Sequence, residues 1–414
     1  MAQYVTIDRE ENFNPAKLKV VGVGGGGCNA IESMIKRGLN GVDYVAINTD
    51  AQILKYSNAQ HKIQVGANIT KGLGAGADPK KGRQAVEENR EEIEQILAGS
   101  DMVFITAGMG GGTGTGGAPI VASIAKSLGA LVVGIVTKPF KWEGKQRMIN
   151  AEQGIKELKQ FVDSLIVIPN DRLMNILDKS VSVEDAFDKP NEVLFEATRG
   201  ISDIITVPGV VNVDFADVRY VMSESGDALI GCGIASGENR AVEAAHKAIN
   251  SPLLEGINIK GAKKILLNVT SSGNLTHQEI NEGNEVIYKE AGEEANVIFG
   301  WVKKDDMNEY VSYTVIATGF NSESDVEEPS EKDELPLNRQ EFKHKAVGMD
   351  SNYPFVMDRA RDLEDINAPT FYRRGGSQNI NLGNQKTNTA KGNDSFDWND
   401  DEEDSSEFLK SMMD

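Results

Sequence analysis

The chain has 414 residues, 40% of them hydrophobic, and a net charge of −20. That length is enough for two or three domains. The acidity argues against DNA or RNA as a partner and against direct adhesion to an anionic membrane, since both need a basic face.

Two cysteines, Cys28 and Cys232, stand far apart and outside any C-x-x-C pair, and the four histidines have no ligand spacing. Neither a disulfide framework nor a protein metal site is expected. Cys28 reads as a small packing residue at a loop–helix junction. Met1–Asn14 is polar and acidic, unlike a signal peptide, and no apolar run reaches the length of a membrane span. A soluble cytoplasmic protein is the expectation.

Short apolar runs fall at Lys17–Val23, Asp43–Asn48, Asp101–Ala107, Ala130–Val136 and Ser164–Pro169. Helical stretches at Asn29–Arg37, Pro79–Leu97, Pro119–Leu128 and Glu143–Val162 separate most of them. This alternation predicts an α/β fold, a Rossmann-like parallel sheet covered on both faces. A long helix is predicted at Ser182–Thr206, and a further helix from Phe215 to Met222. Strands at Leu229–Ala235, Lys264–Thr270, Asn296–Val302 and Tyr310–Thr318, with helices at Glu238–Ile249 and His277–Ala291, predict a second, smaller α+β domain. Beyond Phe320 the chain is too polar and acidic to bury a core, so a disordered tail is expected.

Gly22-Val23-Gly24-Gly25-Gly26-Gly27 follows the first strand and satisfies G-x-G-x-x-G. Glycines admit a phosphate close to the backbone, and a helix start supplies N–H donors. Alone, the motif is a weak signal that also describes a tight strand–helix turn; as a dinucleotide site it would place Asp50 on the ribose. Gly110-Gly111-Gly112-Thr113-Gly114-Thr115-Gly116 sits at the same predicted sheet edge. Two cradles there suit a chain of phosphates better than one pyrophosphate, and Thr113 and Thr115 add hydroxyl donors. A third glycine-rich turn runs from Gly72 to Ala77. No Walker lysine accompanies them, because Gly144-Lys145 is followed by Gln146 and Pro139 stands where that motif needs its first glycine.

Gly110–Gly116 resembles the signature of the tubulin/FtsZ family of GTPases. Gly22–Ala30, Asn48-Thr49-Asp50, Thr70–Ala77, Thr137–Arg147 and Asn212–Arg219 resemble the same family in the same order. The resemblance covers residues 17–320. It implies GTP and GDP as ligands, Mg²⁺ as the companion ion, and head-to-tail assembly into filaments that form the ring at the midcell division site. By position, Gly25, Gly26, Gly27, Cys28, Asn29, Gly74, Ala75, Gly76, Gly112, Thr113, Gly114 and Thr115 would surround the phosphates. Glu143 and Arg147 would contact the ribose and phosphate side. Their i, i+4 spacing places them on one helix face, where a plain surface ion pair is the alternative. Asn170 and Phe187 would lie at the guanine. Asn191-Glu192 departs from the family's usual Asp-Asn; Asn191 still accepts one guanine N–H, alone or shared with Glu192.

Asn212-Val213-Asp214-Phe215-Ala216-Asp217 precedes a helix. By itself it reads as an N-cap followed by a first-turn acid. The resemblance makes Asp214 and Asp217, with Asn212, the catalytic loop that enters the next subunit's nucleotide pocket. Asp365–Arg374 resembles the family's terminal peptide for membrane-tethering and regulatory division proteins. The expected organisation is an extension at 1–16, a GTP-binding domain at 17–181, helix and catalytic loop at 182–224, and an α+β domain at 225–320. A linker at 321–362, the peptide at 363–374 and an acidic tail at 375–414 follow. Two other readings stand beside this one. The first is an NAD-dependent enzyme built on Gly22–Gly27, which lacks a placed His or Lys. The second is a tubulin-like filament with another task, such as DNA segregation or cell shape.

Overall fold

A computed structural model describes residues 16–174, 182–207, 209–251 and 259–320. The parts of the tail read above, including Asp365–Arg374, lie outside the described residues.

The first half is a strand–helix alternation. Its strands are β1 (Leu18–Val23), β2 (Asp43–Asn48), β3 (His61–Gln64), β4 (Met102–Gly108), β5 (Leu131–Lys138) and β6 (Ser164–Pro169). Its helices are α1 (Gly24–Lys36), α2 (Ala51–Tyr56), α3 (Ala67–Thr70), α4 (Pro79–Glu88), α5 (Arg90–Leu97), α6 (Thr113–Ser127), α7 (Lys145–Leu158) and α8 (Asn170–Met174). Next come the long helix α9 (Val183–Thr206) and α10 (Phe215–Met222). The last part holds β7 (Gly226–Ala235), α11 (Arg240–Ile249), β8 (Lys264–Ser271), α12 (His277–Ala291), β9 (Asn296–Lys303) and β10 (Val311–Thr318).

Among the described residues, ten strands join one sheet in the order β3-β2-β1-β4-β5-β6-β7-β10-β8-β9. Strands β1 to β6 pair in parallel, as near-continuous apolar runs require. β10 pairs antiparallel with β7 and β8, so the sheet is mixed in its second half. The two halves meet where Ser164, Leu165 and Ile166 of β6 pair with Gly226, Asp227 and Ala228 of β7.

Side chains alternate between two cores because a strand repeats every second residue. On β4, Met102 and Phe104 pack with Ile31 and Met34 of α1, Ile201 of α9 and Val218 of α10. Val103 and Ile105 face the other way, toward Ile93 of α5, Val121 of α6 and Leu158 of α7. A third core gathers Ala244, Ile265, Val269, Ile287 and Val315 around α11 and α12. Among the described residues, no helix is long and apolar enough to cross a membrane.

Several boundaries differ from the sequence expectation. The helix expected from Asn29 begins at Gly24, and the one expected from Pro119 begins at Thr113. Both glycine segments are thus partly first helical turns. The single helix expected over Pro79–Leu97 breaks at Asn89. β3 is an edge strand whose sequence, His-Lys-Ile-Gln, carries one apolar residue.

Candidate functional site

Helices α1 and α6 start at the carboxyl ends of the adjacent strands β1 and β4. The first N–H groups of a helix have no partner within it. In α1 these include Gly24, Gly25 and Gly26; in α6, the first helical bond runs from Gly116 N to Gly112 O, leaving Thr113, Gly114 and Thr115. The segments 22–30 and 108–117 contain no Lys or Arg. Any anion held there is met by backbone donors and by two helix dipoles.

The three glycine segments touch one another, and the contacts need missing side chains. Gly24 has φ 74°, and a Cβ there would stand 2.7 Å from Gly114 N. A Cβ on Gly26 would lie 3.0 Å from Gly108 Cα. A Cβ on Gly112 would collide with Gly76 O and stand 3.0 Å from Ala75 Cβ. Gly74 and Gly76 lie in the same turn, half-buried and exposed respectively. Asn150 Nδ2 of α7 donates to Ala77 O at 3.3 Å and ties that turn in place.

Two threonines act differently from the expectation. Thr113 Oγ1 lies 2.7 Å from Thr49 Oγ1, and Thr115 Oγ1 accepts from Gly110 N at 2.8 Å. All three side chains are buried, so these hydroxyls shape the loops from within rather than presenting themselves as donors at its surface. Cys28 is also turned inward. Its Sγ lies 4.0 Å from both Gly22 O and Ile47 O, and burial pushes the thiol up to about 12. Its side chain is the packing residue that the sequence suggested, while Asn29 is exposed. Asp50 caps α2, accepting from Gln52 N at 2.8 Å.

A second group of residues borders the cradle. Gly110 packs against Arg147, whose O would be 2.8 Å from a Cβ at Gly110. Arg147 NH1 donates to Glu143 Oε2 at 2.7 Å, and Glu143 Oε1 accepts from Phe140 N at 2.9 Å. The pair forms as its spacing implies, but not on one helix. Glu143 ends a 3-10 turn, Lys141–Glu143, and Gly144 at φ 108° separates it from α7. Lys141 N donates to Asp171 Oδ1 at 3.0 Å, joining this turn to α8. There Asn170 is buried, and among the described residues its Oδ1 has no hydrogen-bond partner. A buried acceptor left unpaired is costly unless a ligand or water pairs it.

Phe187, near the start of α9, meets Phe140 and Trp142 edge-on with ring centroids 5.5 Å from each. Asn191 follows one turn later, and its Nδ2 reaches Asp188 Oδ1 at 3.4 Å and Phe187 O at 3.5 Å. Glu192 is paired instead with Lys189 at 2.9 Å and lines a cleft with Glu196, Cys232 and Thr314. Thr49, Phe140 and Trp142 lie in segments that carry the family resemblance but were not named as site residues, and Asn150 was not named at all. Thr49 and Thr113 are 64 residues apart, and nothing local marks the pair.

Asn212, Asp214 and Asp217 are elsewhere. Asp214 is the N-cap of α10, accepting from Asp217 N at 2.8 Å, and Asn212 Oδ1 accepts from Gly209 N at 2.6 Å. Arg219 of α10 reaches Asp101 O, at the amino end of β4. The cradle sits at the carboxyl end of that strand. Seven residues of β4 separate the two, roughly 23 Å at strand rise. Among the described residues, no group of three or more His, Cys, Asp or Glu is placed to hold a metal ion.

Comparison with known proteins matches this geometry. Residues 17–178 match the Tubulin/FtsZ family, GTPase domain, and residues 226–321 match the FtsZ family, C-terminal domain. A solved FtsZ dimer from M. jannaschii is 45% identical, covering 73% of this chain and 88% of that one, with TM-score 0.70. CetZ1 and CetZ2 from Haloferax volcanii share the fold at 24% and 20% identity. Each covers 74% of this chain; the coverage of the CetZ chains is 95% and 94%, with TM-scores 0.65 and 0.64. The NAD-dependent alternative falls with these matches, since a GTPase domain accounts for both glycine segments. The order of the two domains, and 45% identity over most of a solved relative, make this chain a member of the FtsZ family, a GTP-binding, tubulin-like cytoskeletal GTPase.

Proposed function

We propose that GTP binding drives head-to-tail polymerisation, and that the Asp214 and Asp217 loop of one subunit completes the GTPase site of the next. The observation that carries this reading is the separation of the two parts. A carboxylate must come within about 3 Å of the water it orients. Arg219, in the helix that Asp214 caps, reaches Asp101 at the amino end of β4, whereas the cradle is at the carboxyl end of that strand, so the two parts are assigned to different subunits. A contact that joins unlike ends without closing generates a filament. The relatives described as an FtsZ dimer and as a GTPγS-bound CetZ2 protofilament support self-association.

Within the cradle, the N–H groups of Gly25, Gly26, Thr113 and Gly114 hold the phosphates. Arg147, braced by Glu143, meets the ribose and phosphate side. Asn170 Oδ1, buried and unpaired, accepts a guanine N–H; Phe187 stacks on the base, and Asn191 offers a second acceptor. Mg²⁺ would be held through the bound nucleotide and water rather than by a dedicated protein cage. When bound it would supply neutralisation of the phosphate charge. Asp214 and Asp217 align the attacking water in line with the γ phosphate, and Asn212 fixes the loop's turn.

In the cell these filaments form the division ring at midcell, in the cytoplasm. Asp365–Arg374 links them to membrane-tethering and regulatory division proteins. Right-angle light scattering tests the core of this reading. GTP should raise scattering and NAD should not; Asp214→Ala should bind GTP and lose turnover. A mutant that hydrolyses GTP at the wild-type rate removes Asp214 from the mechanism.

A further inference from the structure

Strand β9 ends the sheet, and its outer edge receives the segment leading into the acid loop. Val210 N donates to Trp301 O at 2.9 Å, and Trp301 N donates to Val211 O at 3.0 Å. This is a single antiparallel bridge between Val211 and Trp301. Gly209 is admitted because it has no side chain; a Cβ there would collide with Trp301 O. One residue earlier on the strand, a Cβ on Gly300 would come within 2.8 Å of Ile204 Cδ1 and 3.0 Å of Val213 Cγ2. Ile204 is in the last turn of α9, and Val213 is the buried residue between Asn212 and Asp214.

The strand is itself anchored at this point. Trp301 Nε1 donates to Ser271 Oγ of β8 at 2.8 Å. Lys304, just beyond β9, pairs with the buried carboxylate of Asp203 on α9, which also accepts from Arg199 Nε at 3.2 Å. The end of α9, the bridge and the acid loop are therefore all registered against residues 300–304.

We propose that β9 is the template that sets the position of Asp214 and Asp217, with Gly300, Trp301 and Lys304 as positioning residues for GTP hydrolysis. The proposal rests on the reading that these two acids orient the attacking water. The loop and α10 move as one piece, because Asp214 is bonded to Asp217 N. A shift at the bridge is passed on to both carboxylates. Alignment of water is sensitive to such a shift, whereas the nucleotide cradle lies at the carboxyl ends of β1 and β4, with β5, β6, β7, β10 and β8 between β4 and β9.

The test uses Gly209→Ala and Lys304→Gln, with Lys304→Arg as the conservative rescue and Asp214→Ala as the reference. Two quantities are read: GDP affinity of the unassembled protein, and GTP turnover normalised to the protein that pellets with GTP. Normalised turnover of Gly209→Ala should fall by about 100-fold, the cost of misplacing an orienting group by roughly 1 Å. Lys304→Gln should fall less, Lys304→Arg should recover, and GDP affinity should hold throughout. Wild-type turnover in Gly209→Ala and Lys304→Gln, with Asp214→Ala inactive, overturns the template. A parallel loss of GDP affinity also overturns it, since the variants then act through the whole fold. If Gly209→Ala does not fold, the Lys304 pair decides. Wild-type turnover in Asp214→Ala would instead remove the reading beneath the proposal.

Discussion

The hydroxyl oxygens of Thr49 and Thr113 lie 2.7 Å apart and buried, joining the loop after β2 to the first residue of α6. The bond is a brace for the glycine segments, because it holds the start of α6 against a neighbouring strand end.

Replacing Thr49 by Val leaves the Thr113 hydroxyl buried and unpaired, a cost of about 1–3 kcal/mol. Thr49→Val should lower the unfolding midpoint and weaken GDP binding together. The double change Thr49→Val with Thr113→Val should cost less than the sum of the single changes, since no group is then stranded. Thermal melts with and without GDP check both points; strict additivity would show that the pair carries no coupling.

Asn170 should behave in the opposite way. Its Oδ1 is buried without a partner, so Asn170→Leu removes an unpaid desolvation penalty and should leave the apoprotein as stable or slightly more stable. GTP affinity should fall by about 1–3 kcal/mol, the value of a hydrogen bond made in a buried site. Unchanged affinity in a nucleotide titration would take Asn170 away from the base.

Gly112→Ala should abolish nucleotide binding while the strands stay paired. The new methyl would collide with Gly76 O and press on Ala75, forcing two glycine segments apart at the place where their backbones meet. Circular dichroism should show the fold retained, and a fluorescent GTP analogue should no longer bind. Wild-type binding would show that the segments need no such closeness.

The Cys28 thiol gives a pH signature. In the unfolded chain it ionises near its ordinary value of 9.0, whereas burial holds it protonated to about 12 in the folded protein. The folded state keeps the proton across this window, so stability falls as pH rises from 9.0 toward 12. Alkylation at pH 8, mapped by mass spectrometry, should spare Cys28 until denaturant is added. Rapid labelling of native protein would contradict its burial.

The sheet was legible because its strands are apolar runs between turn signals, as at Ser164–Pro169, where the reading and the structure coincide. β3 escaped because an edge strand needs few apolar residues, and Ile63 is the single one it has. The helix starts were misplaced because glycine disfavours helix in isolation. Packing overrides that preference at Gly27, where a Cβ would collide with Thr106 O, so α1 begins inside the glycine run. The cradle could be read from local motifs. The Thr49 brace, the Asp171 link to Lys141 and the Trp301 bridge join residues distant in sequence, and no local pattern announces them. Asp214 was read both as a helix cap and as a catalytic acid, and the cap is what the structure displays.

The composite site is tested most directly by mixing two disabled proteins. Asp214→Ala keeps its nucleotide cradle and lacks the acid; Gly112→Ala keeps the acid loop and lacks the cradle. Neither alone should hydrolyse GTP. Mixed, a cradle from the first can meet an acid loop from the second, and turnover should appear. A mixture that co-pellets and stays inactive would contradict a site shared between subunits.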